Sequence, residues 1–184
     1  MEQGTIHISE NYGKLPLVTR WILEIAVVAA AAMFTVWCFG MRASVSGHSM
    51  EPLVNDGEQV LLNKLEYRLK EISRFDVVSF SYGEGVRSIK RVIGLPGDVV
   101  QIKNGSVYIN GDILDPEVFA GNYTVAGLAE DEVVLGSDEY FLLGDNGDSS
   151  EDSRFGAVGN VSAENIEGKV WFIISPFARM GALQ

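Results

Sequence analysis

Ser49 is the first residue in this sequence whose surroundings suggest covalent chemistry. It lies in the segment SGHSMEPL, residues 46 to 53, between His48 and Met50. A serine hydroxyl attacks a carbonyl carbon efficiently only when a nearby group accepts its proton, and histidine most often does so. The chain contains two histidines, His7 and His48. The chemistry open to Ser49 therefore depends on which residue can act as its base.

Neither histidine is well placed to be that base. His7 precedes a long apolar segment and would lie across the membrane from Ser49 if that segment spans a bilayer. His48 is the direct neighbour of Ser49, and adjacent side chains in an extended segment point to opposite faces. These positions argue against a Ser-His-Asp triad, and they leave a carboxylate or a lysine as the base.

Lys90 is the lysine with the most apolar sequence surroundings. It lies in SIKRVIGLPGD, where strand alternation puts Val86, Ser88, Lys90 and Val92 on one face. A lysine can act as a base only if its pKa falls far below about 10.4, and burial lowers it. A buried lysine is costly and often marks function. The alternatives are that Lys90 protects a sheet edge and that Ser49 merely forms a turn.

The apolar segment has the length of a membrane anchor. Residues 25 to 41 carry no charge, and extension back to Trp21 gives 21 residues, or about 31 Å as a helix. Glu24 would lie near one end, where a charge reaches the headgroups. Lys14 and Arg20 precede the segment and favour a cytoplasmic N-terminus. We predict a cytoplasmic segment at 1–20, a transmembrane anchor at 21–41 and an extracytoplasmic domain at 42–184.

A cleavable signal peptide is the alternative interpretation of this segment. Its alanines could supply a processing site, but the uncharged core is longer than a usual signal-peptide core. No clear site with small residues at the first and third positions follows it directly. These features favour an uncleaved anchor.

Composition excludes several classes of function. The net charge of the 184 residues is −11, and residues 42 to 184 carry 12 basic and 22 acidic side chains. Nucleic-acid binding depends on clustered Lys and Arg, so no nucleic-acid partner is expected. Cys38 is the only cysteine, which excludes an internal disulfide and a zinc site built from several cysteines. Hydrophobic residues make up 47% of the chain, enough for a folded core.

The region after the anchor is predicted to be mainly antiparallel β. Asn104-Gly105 lies between two alternating runs and predicts a hairpin, and Asn110-Gly111 predicts a second turn. A helical pattern is present only at residues 64 to 72. Residues 112 to 138 are acidic and weakly patterned, and we interpret them as an insertion on the β core. The predicted strands are 58–62, 76–80, 86–93, 99–102, 107–109, 140–143 and 170–174.

Four segments, in order, resemble the characteristic boxes of type I signal peptidases, which are membrane-anchored serine proteases that cleave signal peptides from exported proteins. SGHSMEP resembles the nucleophile box, RFDVVSF the strand box, KRVIGLPGD the lysine box and GDNGDSSEDSRFG the last box. The resemblance covers about residues 18 to 180 apart from the 112–138 segment. It implies a β catalytic domain of the signal peptidase and LexA-like type behind an N-terminal transmembrane helix.

The resemblance assigns roles to individual residues. Ser49 corresponds to the nucleophile and Lys90 to the general base, while Ser150 corresponds to a serine whose hydroxyl orients the lysine amine. The remaining residues are supporting ones. Asp152 and Arg154 support the site, Asp145 and Arg91 form an ion pair, and Met50 and Pro52 shape the turn that presents Ser49.

The sequence departs from the family pattern at two glycines. Some members have a serine two positions before the nucleophile that assists the oxyanion hole, and here that position is Gly47. The hole would then depend mainly on the backbone N–H of Ser49. Many members have an arginine after G-D-N, where this chain has Gly147. A supporting salt bridge is then absent, or Arg154 compensates for it.

The resemblance also implies substrates and partners. Preproteins with small side chains such as alanine at the first and third positions before the cut are the expected substrates, and no metal or organic cofactor is required. The anchor implies contact with membrane lipid. Neither the identity of the preproteins nor the oligomeric state follows from the sequence.

Two other functions are compatible with parts of the sequence. A self-cleaving repressor of the LexA type shares the serine and the lysine, but it carries a DNA-binding domain where this chain has an apolar segment. The other is a non-catalytic, membrane-anchored β module in which Ser49 and Lys90 have no chemical role.

Overall fold

The computed structural model describes residues 16–39, 41–115, 119 and 123–183. His7, Lys14 and most of the predicted cytoplasmic segment lie outside these residues. The chain divides into two compact units, Met1–Val36 and Trp37–Gln184.

Among the described residues of the N-terminal unit lies most of a long apolar helix, α1 (Leu17–Phe39). The helix begins directly after Pro16, whose carbonyl accepts the N–H of Thr19 at 2.9 Å. Arg20 and Glu24, one turn apart, form an ion pair at 3.0 Å on its exposed surface. Residues 17 to 36 have a mean hydropathy of 1.8 and are not buried by other parts of the chain. By length and composition, α1 could span a membrane.

The second unit is built on antiparallel sheets, as the sequence predicted. The large sheet has eight strands in the order β1-β2-β11-β3-β4-β9-β10, with β12 paired to β11. Its strands are β1 (Met41–Ser44), β2 (Gln59–Asn63), β3 (Val77–Tyr82), β4 (Val86–Gly94), β9 (Glu139–Leu143), β10 (Val161–Ser162), β11 (Ile166–Ser175) and β12 (Gly181–Ala182).

The small sheet has four strands in the order β7-β6-β5-β8. They are β5 (Val99–Lys103), β6 (Ser106–Ile109), β7 (Asp112–Ile113) and β8 (Val133–Val134). The two predicted turns are confirmed, since Asn104-Gly105 joins β5 to β6 and Asn110-Gly111 joins β6 to β7. All four turn residues have positive φ, between 51° and 89°, as hairpins of this kind require.

The structure differs from one local prediction and adds detail in two other places. The helical pattern at 64–72 gives only one turn, α2 (Glu66–Leu69), too short a segment to be stable without packing. Met41, which we placed in the apolar segment, belongs to β1 and is paired with Leu62. The weakly patterned region 112–138 contributes β7 and β8 to the small sheet.

Three groups of buried side chains hold the second unit together. One joins the small sheet to the ends of β4 and β9, and includes Ile93, Val100 and Phe141. Another lies under the Ser49 segment and includes Met50 and Val60. The last lies on β3, β4, β9 and β10. β4 is flanked by β3 and by β9, and the side chains of Lys90, Val92 and Ile93 on it are buried.

Candidate active site

Ser49 lies in a tight segment between β1 and β2. Backbone hydrogen bonds close the base of this segment, from Val45 N to Glu58 O at 2.8 Å and from Gly57 N to Val45 O at 3.0 Å. Met50, only 1% exposed, anchors the segment in the core, and its carbonyl accepts the N–H of Val54 at 3.0 Å. Pro52, by contrast, is exposed. The segment is thus held at both ends, and Ser49 is kept at a defined position.

Gly47 has the backbone conformation that favours glycine. Its φ is +97°, and its N–H donates to Asp56 Oδ1 at 2.8 Å. A serine at this position would be strained in that conformation. In the part of the chain that the structure describes, the N–H of Ser49 donates to no other group, which leaves it available to a substrate oxygen.

The side chain of Lys90 extends from β4 to the hydroxyl of Ser49. Its Nζ donates to Ser49 Oγ at 2.8 Å and to Ser88 Oγ at 3.0 Å. Lys90 is only 3% exposed. Burial lowers its pKa from 10.5 to about 8, against the opposing effect of the Asp152 and Glu151 carboxylates. With this pKa, a substantial fraction of the amine is neutral near pH 8, and a neutral amine in contact with a serine hydroxyl can accept the serine proton.

Ser150 does not make the hydrogen bond to Lys90 that the resemblance implies. Its side chain is buried, but its hydroxyl has no hydrogen-bond partner among the described residues. The second hydroxyl on Lys90 belongs to Ser88, which lies two residues earlier on the same strand and therefore on the same face. Sequence alternation had placed Ser88 and Lys90 together, but it did not assign Ser88 a role.

Asp152 and Arg154 form a fully buried ion pair behind this site. Arg154 Nε donates to Asp152 Oδ1 at 2.8 Å, and the side chains are 1% and 0% exposed. The guanidinium also donates to the carbonyls of Gly147 at 2.6 Å and Val125 at 2.8 Å. Asp152 Oδ2 accepts the N–H of Gly144 at 3.1 Å. The pair therefore ties together the 144–156 loop, which is the GDNGDSSEDSRFG segment.

The 144–156 loop also contacts the Ser49 segment directly. Asn146 donates its backbone N–H to Ser49 O at 3.0 Å and its side-chain amide to His48 O at 3.1 Å. Next to it, Asp145 accepts two hydrogen bonds from Arg91, at 2.7 and 2.6 Å. Because Arg91 follows Lys90 on β4, this ion pair connects the strand that carries the lysine to the loop that holds the serine. Asn146 was not among the residues predicted for the site.

His48 is turned towards solvent. Its side chain is 62% exposed, and Nδ1 lies 2.7 Å from Glu51 Oε1. The hydrogen bond to Glu51 raises the pKa of His48 above 6.5. The hydroxyl of Ser49 is bonded to Lys90 instead, which is consistent with the earlier exclusion of a triad.

A cleft of about 480 Å³ opens beside Ser49 and Lys90. β1 and the residues that follow it form one wall, and residues 87–90 of β4 form another. At its polar end, Glu167 pairs with Arg87 at 2.9 Å and accepts the Ser79 hydroxyl at 3.4 Å. The cleft has the elongated strand walls that suit an extended peptide. Within the described residues, no group of three or more His, Cys, Asp or Glu could hold a metal ion.

Comparisons with known proteins identify relatives of this chain. The family model described as signal peptidase, peptidase S26, matches residues 18–175. Signal peptidase I S of Bacillus subtilis is 33% identical over 180 residues, covering 94% of this chain and 97% of its own. Signal peptidase IB of Staphylococcus aureus is 34% identical over 175 residues, covering 86% of this chain and 90% of its own.

One solved structure is also similar to this chain. It is a signal peptidase I of Enterococcus faecalis V583, 32% identical, with a TM-score of 0.47, covering 55% of this chain and 97% of that one. The family match and the two curated relatives, by contrast, extend over most of the sequence. The family resemblance drawn from the four boxes is confirmed, and the chain belongs to the signal peptidase family of serine peptidases, peptidase S26.

Proposed function

We propose that this protein removes N-terminal signal peptides from exported preproteins at the membrane surface, with Ser49 as the nucleophile and Lys90 as the general base. The family supports the removal of signal peptides. The observation that carries the mechanism is the 2.8 Å contact between Ser49 Oγ and the amine of the buried Lys90.

The first step forms an acyl-enzyme. Neutral Lys90 accepts the Ser49 proton as Oγ attacks the carbonyl carbon of the scissile bond. The free N–H of Ser49 stabilises the negative oxygen that develops there. The resulting ammonium then gives its proton to the leaving nitrogen, and the carbon–nitrogen bond breaks. The mature protein leaves, while the signal peptide stays bound to Ser49 as an ester.

The second step releases the signal peptide. Lys90 is again neutral and takes a proton from water, whose oxygen attacks the ester carbonyl. The bond between the carbonyl carbon and Ser49 Oγ breaks, and the proton on Lys90 returns to Oγ. Because one amine accepts and returns the proton in both steps, the mechanism needs no cofactor.

We propose that the substrate lies extended in the cleft, with small side chains near the cut. The strand walls contributed by β1 and β4 leave room for an extended peptide between them, and the family resemblance implies alanine at the first and third positions before the scissile bond. Arg87 and Glu167, which form an ion pair at 2.9 Å, also line this cleft.

The proposed topology follows from the apolar helix and the charges that precede it. Residues 21–41 anchor the protein in membrane lipid, residues 1–20 lie in the cytoplasm, and residues 42–184 lie outside, with 112–138 as an insertion on the catalytic domain. The uncharged residues of α1 support the anchor, and Lys14 and Arg20 support the orientation. Only a few residues separate the anchor from Ser49, which suits a substrate held at the membrane by its own apolar segment.

The purified protein in detergent, mixed with a preprotein that carries an Ala-x-Ala site, tests the dyad. We expect wild type to cut after the second alanine, as mapped by mass spectrometry, and Ser49→Ala and Lys90→Met to lose at least about 10³-fold in kcat, as seen when a catalytic pair is broken. Lys64→Met is the matched control, because Lys64 is exposed and outside the cleft.

Each outcome of this experiment has a clear meaning. Full activity in Lys90→Met would show that another group is the base. Activity in Ser49→Ala would remove the nucleophile from the proposal. A folded wild-type protein that cleaves no preprotein would favour the non-catalytic binding module.

A further inference from the structure

Lys90 contacts two serine hydroxyls, and the second one has no assigned role. Ser88 Oγ lies 3.0 Å from Nζ, close to the 2.8 Å of the contact with Ser49. Ser88 and Lys90 are two residues apart on β4, so both side chains stand on the same face of the strand. The backbone of the strand therefore sets their separation, and no loop has to move to bring them together.

A lysine base needs such a second contact for geometrical reasons. A neutral amine has one lone pair and two N–H groups, and the lone pair must face the serine proton for transfer to occur. The lysine side chain has several rotatable bonds, and its amine also rotates. A fixed acceptor for one N–H removes that freedom and leaves the lone pair directed at Ser49.

The residue that the family resemblance suggests for this task makes no hydrogen bond to the amine. Ser150 is buried, and its hydroxyl bonds to no described group. It lies instead beside Gly144 and the carbonyl of Ser49, since a Cβ built on Gly144 would be 2.6 Å from Ser150 Cβ and 2.5 Å from Ser49 O. In this arrangement Ser150 packs behind Ser49. The second hydroxyl that contacts the Lys90 amine belongs to Ser88 on β4.

We propose that Ser88 is the positioning residue of the general base, and that its hydroxyl holds the Lys90 amine in the orientation that accepts the Ser49 proton. This inference rests on the proposed Ser49–Lys90 mechanism. Ser88 accepts one N–H of Lys90 both before and after proton transfer, so it neither gains nor loses a proton. The transferred proton remains free to move from Lys90 to the leaving nitrogen.

The substitution Ser88→Ala tests this role. We expect kcat to fall by about 10- to 100-fold, the loss typical of a misplaced catalytic group, while KM changes less than about twofold, since the substitution removes one hydroxyl and leaves the rest of the cleft wall in place. Ser88→Thr keeps a hydroxyl on a strand position that tolerates threonine, and it is expected to restore most of kcat. Ser81→Ala, on the neighbouring strand β3 and outside the cleft, is the matched control.

The pH profile of kcat/KM separates positioning from a general loss of folded enzyme. An acceptor for the ammonium N–H stabilises the charged amine, so its removal lowers the pKa of Lys90. The rise of kcat/KM with pH should therefore occur at lower pH in Ser88→Ala than in wild type. In Ser88→Thr it should occur at the same pH as in wild type. A purely structural defect would lower the maximal kcat/KM reached at high pH but would not change the pH at which kcat/KM rises. That result would overturn the proposal.

Ser150→Ala, measured in parallel, decides between the two hydroxyls. We expect it to retain more of kcat than Ser88→Ala and to show the rise in kcat/KM at the same pH as wild type. Full kcat in Ser88→Ala, or a loss that Ser88→Thr does not restore, overturns the role of Ser88. Activity in Ser49→Ala or Lys90→Met would refute the dyad itself, so failure of the proposed function is distinguished from failure of this inference alone.

Discussion

At the scale of single residues, the central feature is a buried lysine. Lys90 is 3% exposed, and the difference between an ordinary pKa of 10.5 and about 8 corresponds to about 3 kcal/mol. That free energy disfavours the ammonium form. The same burial that destabilises the charge therefore makes the amine available as a base close to neutral pH.

The pH dependence of activity follows from this value. Because the pKa of Lys90 is lowered to about 8, its neutral, active fraction increases as pH rises through about 8. We expect kcat/KM to rise about tenfold per pH unit below that value and to level off above it. Initial rates with the Ala-x-Ala preprotein between about pH 6 and 10 measure this rise in kcat/KM.

His48→Gln is the control for this profile, because His48 also titrates and lies next to Ser49. In that variant the rise in kcat/KM should still be centred near pH 8. A rise centred near the pKa of an ordinary lysine, or one that moves when His48 is replaced, would contradict the assignment to Lys90.

At the scale of elements, two segments that are remote in sequence are held in contact around Ser49 and Lys90. β4 carries Lys90, and the 144–156 loop holds the Ser49 segment through Asn146. The ion pair of Arg91 and Asp145 joins the two. The position of the nucleophile relative to its base thus depends on the shape of a loop about a hundred residues further along the chain.

Gly144 is closely packed against the Ser49 segment and has no room for a side chain. Its N–H is held by Asp152 at 3.1 Å and its carbonyl by the Tyr123 hydroxyl at 2.9 Å, and an added Cβ would lie 2.5 Å from Ser49 O. Since the backbone cannot move away, we expect Gly144→Ala to displace Ser49, lower kcat by about 10²-fold and cost about 1–3 kcal/mol of stability.

Gly156→Ala is the matched control at the end of the same loop, because a Cβ there meets nothing within 4 Å. Urea unfolding gives the stability of both variants, and turnover of the Ala-x-Ala preprotein gives kcat. Equal activity in the two variants would show that the close contact at Gly144 is not required.

At the scale of the whole molecule, the chain combines one apolar helix with a strongly acidic body. α1 exposes an apolar surface over residues 17 to 36, while residues 42 to 184 carry 12 basic and 22 acidic side chains, a balance that does not favour nucleic-acid binding. This division matches an anchor that stays in lipid and a domain that works in water.

The orientation of the anchor can be measured with single cysteines in a Cys38→Ser background. Glu84, exposed at the β3–β4 turn, and Asn11, before the apolar helix, are each replaced by cysteine. In intact spheroplasts, a membrane-impermeant maleimide should label Glu84→Cys at once and Asn11→Cys only after permeabilisation. The reverse pattern would invert the proposed topology, and an intact mass lacking the N-terminal residues would favour a cleaved signal peptide.

Much of the fold was predictable because its signals are local. The apolar run predicted the long helix, alternation predicted the main strands, and Asn-Gly pairs predicted both hairpin turns. Predictions failed where the local signal was weak. The pattern at 64–72 gives one helical turn, and β1 is a strand because β2 offers it hydrogen-bond partners.

The sequence by itself determined the family, through four boxes in order, and the exclusion of both histidines indicated a serine and a lysine as the candidate reacting groups. Only the tertiary structure decided which groups touch. Ser49 and Lys90 are 41 residues apart, and their contact depends on how β1, β4 and the 144–156 loop pack. The same is true of the second hydroxyl on the amine, because a hydrogen bond depends on distances of a few tenths of an ångström. Packing sets those distances, and it brought Ser88 rather than Ser150 to Lys90.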